Sequence, residues 1–471
     1  MSRYDIDGLK QRLGAIRTEA DPTLVRMRSR DFYWYSPVLK RQLDAVTADL
    51  VVYPQSEDDV LTVLAACHAL AIPVTPRGTG TGNYGQAMPL SGGVVLDLSG
   101  LGAVTEIHPG RVVTGPGAIL EAIDTATKAH SGQELRLHPS TYRTATLGGF
   151  IAGGSGGIGS IRWGGLRDFG NIIRLKVATM EATPRLLELK GQDLQKVSHA
   201  YGTNGIILEV EVPLAPAYTW LDVIVGFDTL REATEYANTL GEQDGLLLKN
   251  VAVVAAPVPH EVFIRHQRFL PKSKHVVLVM VAEQALDAMM AFTARWKRAE
   301  VLLRWDALSE SDRKGLPPVF ELSWNHTTLR ALRLDPTVTY LQVLYPFPNQ
   351  VDLVDRIHAK FGDEVPAHLE FVRFDGKVTC FGLPLVRFTS EERLEEIMRV
   401  HEDMGAPIFN PHRYTLEEGG MKQTDEVQLA FKREADPQGL LNPGKMIAWE
   451  DPNYDYRSGK TYLFPALAAR Q

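Results

Sequence analysis

Two glycine-rich stretches carry the chemistry that residue type and spacing make readable in this chain. The longer, TLGGFIAGGSGGIGSIRWGGLRD from Thr146 to Asp168, holds nine of the chain's 40 glycines between Gly148 and Gly165. Each glycine adds backbone entropy that folding must remove, so this density needs a compensating gain. Main-chain N–H groups unshielded by Cβ atoms supply one, because they can approach a diphosphate or a flat ring and donate hydrogen bonds to it. The shorter stretch, PRGTGTGNYGQ from Pro76 to Gln86, lies upstream by the length of a small α/β unit. Two such loops imply one large ligand.

Neither loop is a common nucleotide motif. No Gly-Lys-Ser/Thr follows Gly82, so a Walker A loop is excluded, and Gly82 leads into Asn83, Tyr84, Gly85 and the loop-like QAMPLSGG rather than into the helix that a Rossmann fingerprint requires. The elements that must position the loops are legible on either side. Ser56 and Asp59 form a capping-box pattern ahead of Val60, Val63, Leu64 and Cys67 at helical spacing. With strands at Leu50–Tyr53 and Ile72–Thr75 this makes a β-α-β unit whose second strand runs into the first loop. Strands at 92–99, 111–114, 172–179 and 207–212 and a helix at 118–129 follow; in the last strand Leu208, Val210 and Val212 face opposite to Glu209 and Glu211.

Past the proline-marked boundary near Pro216 glycine becomes sparse. Strands at 221–227, 276–282 and 338–345 alternate with helices at 285–296 and 391–404, the pattern of a second α+β domain with an antiparallel sheet. The aromatic run Phe32 to Tyr35 reads as packing, and Arg26, Arg28 and Arg30 as a solvated face. With 471 residues, 44% of them hydrophobic, the chain is long enough for at least two domains. Its net charge of -7 argues against a nucleic-acid partner. Two cysteines give no disulfide framework, the start carries no apolar signal region, and no apolar run is long enough to span a membrane, so a cytoplasmic protein is expected.

Taken in order, PRG-x-G-T-G, the LDLS strand, P-S-T, T-L-G-G-x-I-A, W-G-x-x-R-D and G-T-N-G-I-I resemble the FAD-binding domain of the vanillyl-alcohol oxidase and p-cresol methylhydroxylase (PCMH-type) superfamily, in particular its glycolate-oxidase-like branch of FAD-linked oxidases and dehydrogenases. The resemblance covers roughly residues 45 to 216, and DPQGLLNPGKM from Asp436 to Met446 extends it to the tail. It implies an α+β fold: an N-terminal segment (1–44), a two-subdomain FAD-binding domain (45–218), a substrate or cap domain (219–410) and a C-terminal segment (411–471) that returns to the FAD domain. It also implies that Gly78, Thr79, Gly80, Thr81, Gly82 and Asn83 donate N–H groups to the diphosphate. Pro139, Ser140, Thr141, Thr146 and Gly149 would run past the ribityl chain and flavin, and Gly156, Gly157 and Ser160 would line the cofactor. Ile206 and Ile207 would hold the adenosine end, with Asn442 and Lys445 approaching from the tail and His138 near the cofactor. Some members link their flavin through a His in the first loop or a Cys near the second; neither is present, so noncovalent FAD is expected.

Relatives that oxidise D-2-hydroxy acids place a divalent metal beside the flavin with H-x-G-D-G-N-x-H and S-G-E-H-G-x-G motifs. Here LYPFPNQ at 344–350 and TLEEGGMK at 415–422 lack the histidines. Glu418 keeps the place of the second motif's glutamate, but one carboxylate does not make a site, and no metal is expected. In the tail His412, Arg413 and Tyr414 could serve as base, anion clamp and orienting donor, or could tie the tail down. His326 and Tyr345 read mainly as packing. The expected activity is FAD-dependent oxidation of an alcohol or hydroxy acid. A non-redox transferase of the alkyl-glycerone-phosphate synthase type and an electron-transferring flavin subunit of a complex are the rivals. A homodimer is compatible with each, and the electron acceptor is left open.

Overall fold

The computed structural model describes residues 3–454 and divides into two compact units. Within the described residues the first comprises 3–155, Leu166–Ala217 and 411–454; the second comprises Gly156–Gly165 and Tyr218–Asn410. Residues 455–471 of the tail segment lie outside the described part.

The first unit holds two sheets. In one, the strands run in the order Arg17–Glu19, Leu50–Tyr53, Val94–Asp97, Val74–Arg77. Leu50 and Val74 both pair with Val94 in parallel register, so the β-α-β crossover read from the sequence inserts a later strand between its own two. Helix Glu57–Ala69 starts where Ser56 Oγ accepts the Asp59 N–H, and Asp59 accepts the Gln55 N–H in return. Its Val60, Val63, Leu64 and Cys67 are buried against Leu50, Val52, Val74, Val94 and Leu96. The strand expected at Ile72 begins at Val74 and continues through Pro76 and Arg77, because those residues still pair with Leu96 and Asp97. That extension delivers the first glycine loop from the end of a buried parallel strand.

The second sheet is antiparallel, ordered Val104–His108, Arg111–Thr114, Ile206–Pro216, Arg174–Ala178, Leu186–Lys190, with Gln133–Leu135 added along Ile206–Pro216. The alternation in Ile206–Pro216 is as expected, and Arg174 takes Glu209 and Glu211 at 2.6 and 2.9 Å on the polar side. Helix Leu120–Ser131 stops at Gly132, which is left-handed at φ 63°. Of the arginines read as a solvated face, Arg26 and Arg28 are exposed, Arg28 lying 3.4 Å from the buried Asp97, whereas the half-buried Arg30 donates to the Asp44 carbonyl at 2.6 Å.

The second unit is built on a seven-stranded antiparallel sheet. The order is Glu300–Arg304, Trp220–Phe227, His275–Ala282, Leu248–Val254, His368–Phe374, Lys377–Gly382, Val343–Tyr345. Strand His275–Ala282 (HVVLVMVA) is buried almost throughout, as a central strand must be. The strand expected over 338–345 splits: Val338–Tyr340 pairs with Leu385–Arg387 and Val343–Tyr345 joins the large sheet. The chain is thus an α+β protein.

Candidate functional site

The first loop leaves its strand at Arg77 and passes half-buried from Gly78 to Asn83. Among the described residues no main-chain N–H of this run has an acceptor. The loop is held from beneath through other groups. Arg77, buried, donates to the Arg30 carbonyl and, at 3.0 Å, to the Thr79 carbonyl, and its guanidinium occupies the space a Cβ on Gly80 would need. Gly80 is left-handed at φ 71°. Thr79 Oγ1 donates to the Thr144 carbonyl at 2.6 Å, a Cβ on Gly78 would meet the Thr146 hydroxyl, and the Phe32 N–H donates to the Gly82 carbonyl at 2.6 Å. Carbonyls are consumed from below while a row of donors is left over.

The tail returns to this loop. Asn442 donates from its amide to the Gln86 and Tyr201 carbonyls at 2.8 and 2.7 Å, and Lys445 donates to the Gly85 carbonyl at 2.6 Å. Lys445 is fully buried, its ammonium 5.0 Å from the Tyr414 ring centre. Burial pushes it down to about 7, against the pull of Asp31. Asp31, itself buried, accepts the N–H groups of Tyr33 and Ala87 at 2.9 and 3.2 Å, and burial pushes its carboxyl up to about 6. The cation and the anion therefore grip the far end of the first loop from two sides.

His412 is buried with Nδ1 2.7 Å from the hydroxyl of Ser36, the residue that caps helix Pro37–Leu43. That placement ties the tail to the N-terminal segment. Arg413 and Glu418 form a part-exposed pair at 3.9 Å, and Glu418 accepts from Thr415 Oγ1 at 3.0 Å within a π-helical turn, Leu416–Gly420. Four residues that sequence reasoning did not single out for strain share this neighbourhood with positive φ: His199 (55°), Tyr201 (53°), Lys422 (56°) and Asn442 (40°). The N–H groups of His199 and Tyr201 hold the Ile151 and Ala152 carbonyls at 2.8 Å each, and both side chains press on Gly420. Burial, aided by Arg167, pushes His199 down to about 3, so its ring is neutral. Residue type gives no signal for left-handed histidine or tyrosine; strain of this kind gathers at functional sites.

The second glycine stretch is divided. Leu147–Gly153 is a short helix with Thr146 as its cap and the Gly149 N–H donating to Thr146 Oγ1 at 3.2 Å. Gly148 is required by packing, since a Cβ there would sit 2.7 Å from Pro116. Pro139 to Thr141 form a turn closed by the Tyr142 and Thr144 N–H groups; Ser140 is buried, and the His138 ring lies tilted with its centre 4.5 Å from that of Tyr142. Ile206 and Ile207 are buried strand residues paired with Ala178 and Val177. In the second unit, the Gly157 N–H donates to Ser160 Oγ at 3.0 Å, and a Cβ on Gly156 would lie 3.5 Å from Trp324. His326 lies 3.3 Å from Glu321, and Tyr345 is buried in packing. Among the described residues no three His, Cys, Asp or Glu side chains form a group that could hold a metal ion, and no helix is long and apolar enough to cross a membrane.

These features fit a large, phosphate-bearing cofactor. The test is the Gly78–Asn83 run, where half-buried donors lack acceptors and Cβ atoms at Gly78, Gly80 and Gly82 would strike Thr146, Arg77 and Gln86. Comparison with known proteins agrees. Residues 48–185 match the family described as an FAD binding domain. The chain is 25% identical over 430 residues to glycolate oxidase subunit GlcD of Bacillus subtilis (strain 168), covering 85% of this chain and 89% of that one. It is 28% identical over 437 residues to glycolate oxidase subunit GlcD of Escherichia coli (strain K12), covering 84% and 83%. Among solved structures, an alkyldihydroxyacetonephosphate synthase superposes with a TM-score of 0.69 at 15% identity, over 93% of this chain and 84% of that one; at this identity the match speaks for the fold.

Proposed function

We propose that this chain, with an FAD binding domain at residues 48–185 and a likeness to FAD-linked oxidase subunits along most of its length, is an FAD-dependent oxidoreductase that oxidises a small 2-hydroxy acid. The observation that carries the reading is the row of acceptor-less N–H donors from Gly78 to Asn83 on that domain. These groups, with Thr146, Gly149, Gly156, Gly157, Ser160, Pro139 to Thr141, Ile206 and Ile207, are our candidates for holding FAD, and Asn442 and Lys445 act by shaping the loop. Bound FAD supplies a two-electron hydride acceptor. The protein contributes a fixed loop, exclusion of water and an anion clamp. We assign the clamp to the part-exposed Arg413, whose guanidinium can pair with a carboxylate in two-pronged fashion.

Noncovalent binding is supported by the lack of His and Cys in the first loop. Residues 45–218 with the tail form the cofactor module in this reading, and 219–410 the substrate domain. A cytoplasmic location is part of the proposal. Because the relatives are named as subunits, electrons are expected to pass to a partner chain rather than mainly to oxygen. The transferase alternative has only a fold-level likeness behind it. Anaerobic mixing of the FAD-loaded protein with glycolate or D-lactate should bleach the flavin absorbance, with slow return in air. Unbleached flavin across a panel of alcohols and hydroxy acids would refute the reading.

A further inference from the structure

In the large sheet of the second unit, strands Leu248–Val254 and His368–Phe374 pair only from Ala252 with Glu370 to Val254 with His368. Past Ala252 and Glu370 the pairing stops, and the short helix Ser160–Trp163 packs against both strands, with the Gly159 N–H donating to the Lys249 carbonyl at 2.7 Å. Helix Leu230–Gly241 ends beside it. A Cβ on Gly241 would lie 3.0 Å from Ile161 and 3.1 Å from Val378, so glycine is what lets the helix end seat this closely. The turn that follows is fixed by the Leu246 N–H donating to the Gln243 carbonyl and by Gln243 Nε2 donating to the Thr239 carbonyl, each at 2.9 Å. Between these elements, wholly within the second unit, lies a cavity of about 300 Å³.

Its walls differ in chemistry. The buried Ile161 and Leu248 and the half-buried Leu246 and Trp163 give an apolar side. The polar side carries two guanidinium groups. That of Arg373 is ion-paired with Asp244, whose carboxylate is 83% exposed. That of Arg162 has no hydrogen bond or ion pair among the described residues and lies 5.5 Å from the Trp163 ring centre. A guanidinium resting on an indole face is held in place while its N–H edge stays open to an acceptor. One positive charge of the lining is therefore left without a counter-ion. We propose that this cavity is a binding site for a small organic monoanion, a carboxylate on a flat apolar body. The carboxylate would take the N–H edge of Arg162 in two-pronged fashion, and the body would lie between Trp163 and the leucines. A dianionic phosphate fits less well, because its second charge would face the Asp244 carboxylate. The volume is at the lower end of the range for small-molecule sites, about 300 to 1,000 Å³, which suits a one-ring acid. None of the residues assigned above to FAD or to the substrate clamp lines the cavity, so the proposal does not depend on the reaction.

The test is a titration of the full-length, FAD-loaded protein with benzoate, followed through the indole signals of ¹⁵N-labelled tryptophan by NMR. The signal missing from Trp163→Phe identifies Trp163. Benzoate should move that signal saturably with a Kd on the order of 1 mM, and benzamide, its neutral analogue, should bind at least about tenfold more weakly. Arg162→Gln should weaken benzoate binding at least about tenfold with FAD content and melting temperature unchanged, since this exposed guanidinium carries no bond of the fold. Phenyl phosphate should bind more weakly than benzoate. Arg413→Gln, which removes the clamp of the proposed oxidation, should leave the Trp163 titration as in wild type, so that failure of the functional reading and failure of this site are told apart. A Trp163 signal that stays still up to about 10 mM benzoate overturns the proposal. So does benzamide or phenyl phosphate bound as tightly as benzoate, wild-type affinity in Arg162→Gln, or loss of the shift in Arg413→Gln.

Discussion

Replacing Lys445 by Met tests whether the tail and the first loop form one device. The change removes the donor to the Gly85 carbonyl and the only lysine ammonium among the described residues that faces Asp31, leaving that buried carboxylate with the Tyr33 and Ala87 N–H groups and the more distant Arg77. Removing Lys445 leaves the buried Gly85 carbonyl without its donor and the buried Asp31 carboxylate without its Coulombic partner, for an expected loss of about 3 kcal/mol. For a unit of this size that corresponds to roughly 6 to 12 °C in melting temperature. Asp31→Asn added to Lys445→Met should recover part of the loss, because the orphaned charge is gone, giving a coupling of about 1 to 3 kcal/mol in a double-mutant cycle. The pH dependence has a definite sign. Asp31 is raised from 3.8 to about 6, so its contribution is favourable in acid and is lost as pH rises through 6; Lys445 is lowered from 10.5 to about 7, so its contribution is lost as pH falls from about 10 toward 7. The melting difference between the double variant and wild type should therefore shift most in favour of the double variant between pH 6 and 7, and least near pH 4 and pH 10. Calorimetry of apo protein across that range is the assay. A Lys445→Met variant that melts within about 2 °C of wild type, or a difference flat in pH, would refute the buried pair.

Three further outcomes are expected. Acid precipitation should release intact FAD into the supernatant, as neither linking residue type is in the first loop, and yellow colour retained by the pellet would contradict noncovalent binding. Gly80→Val should yield largely apo protein: φ 71° is costly for a β-branched residue by about 1 to 3 kcal/mol, and the new Cβ strikes the Arg77 guanidinium, so FAD affinity should fall at least about tenfold; unchanged affinity by fluorescence titration would take the loop out of the site. Dialysis against a chelator should leave the rate of flavin reduction by glycolate unchanged, and activity lost on dialysis and restored by zinc or manganese would show a metal site.

The parts of the site that the sequence makes legible are those in which residue type alone restricts the backbone. Gly80 needs a left-handed conformation and adjoins a run of half-buried N–H donors, so the first loop is readable as a cradle. The same inference overreaches at Gly148, where the missing Cβ makes room for Pro116 rather than for a ligand; glycine content cannot distinguish close packing from ligand approach. His199 and Tyr201 are illegible for the opposite reason, since their left-handed geometry is imposed by carbonyls of Ile151 and Ala152 and by the tail turn at Gly420. His368 and Glu370 lie between these cases. Two residues apart on a strand, they share a face, so the pairing follows from period-two spacing in HLEFVRF. What spacing cannot supply is the burial: Val254 opposite His368, and Ala252 and Phe381 opposite Glu370, belong to strands more than ten residues away in sequence or across a turn, and they turn an ordinary polar pair into one that must find its remaining hydrogen bonds without water. A solvated H-x-E is inert spacing, whereas a buried one must find its hydrogen bonds inside the fold, as His368 and Glu370 do with each other and Glu370 with the Trp324 N–H.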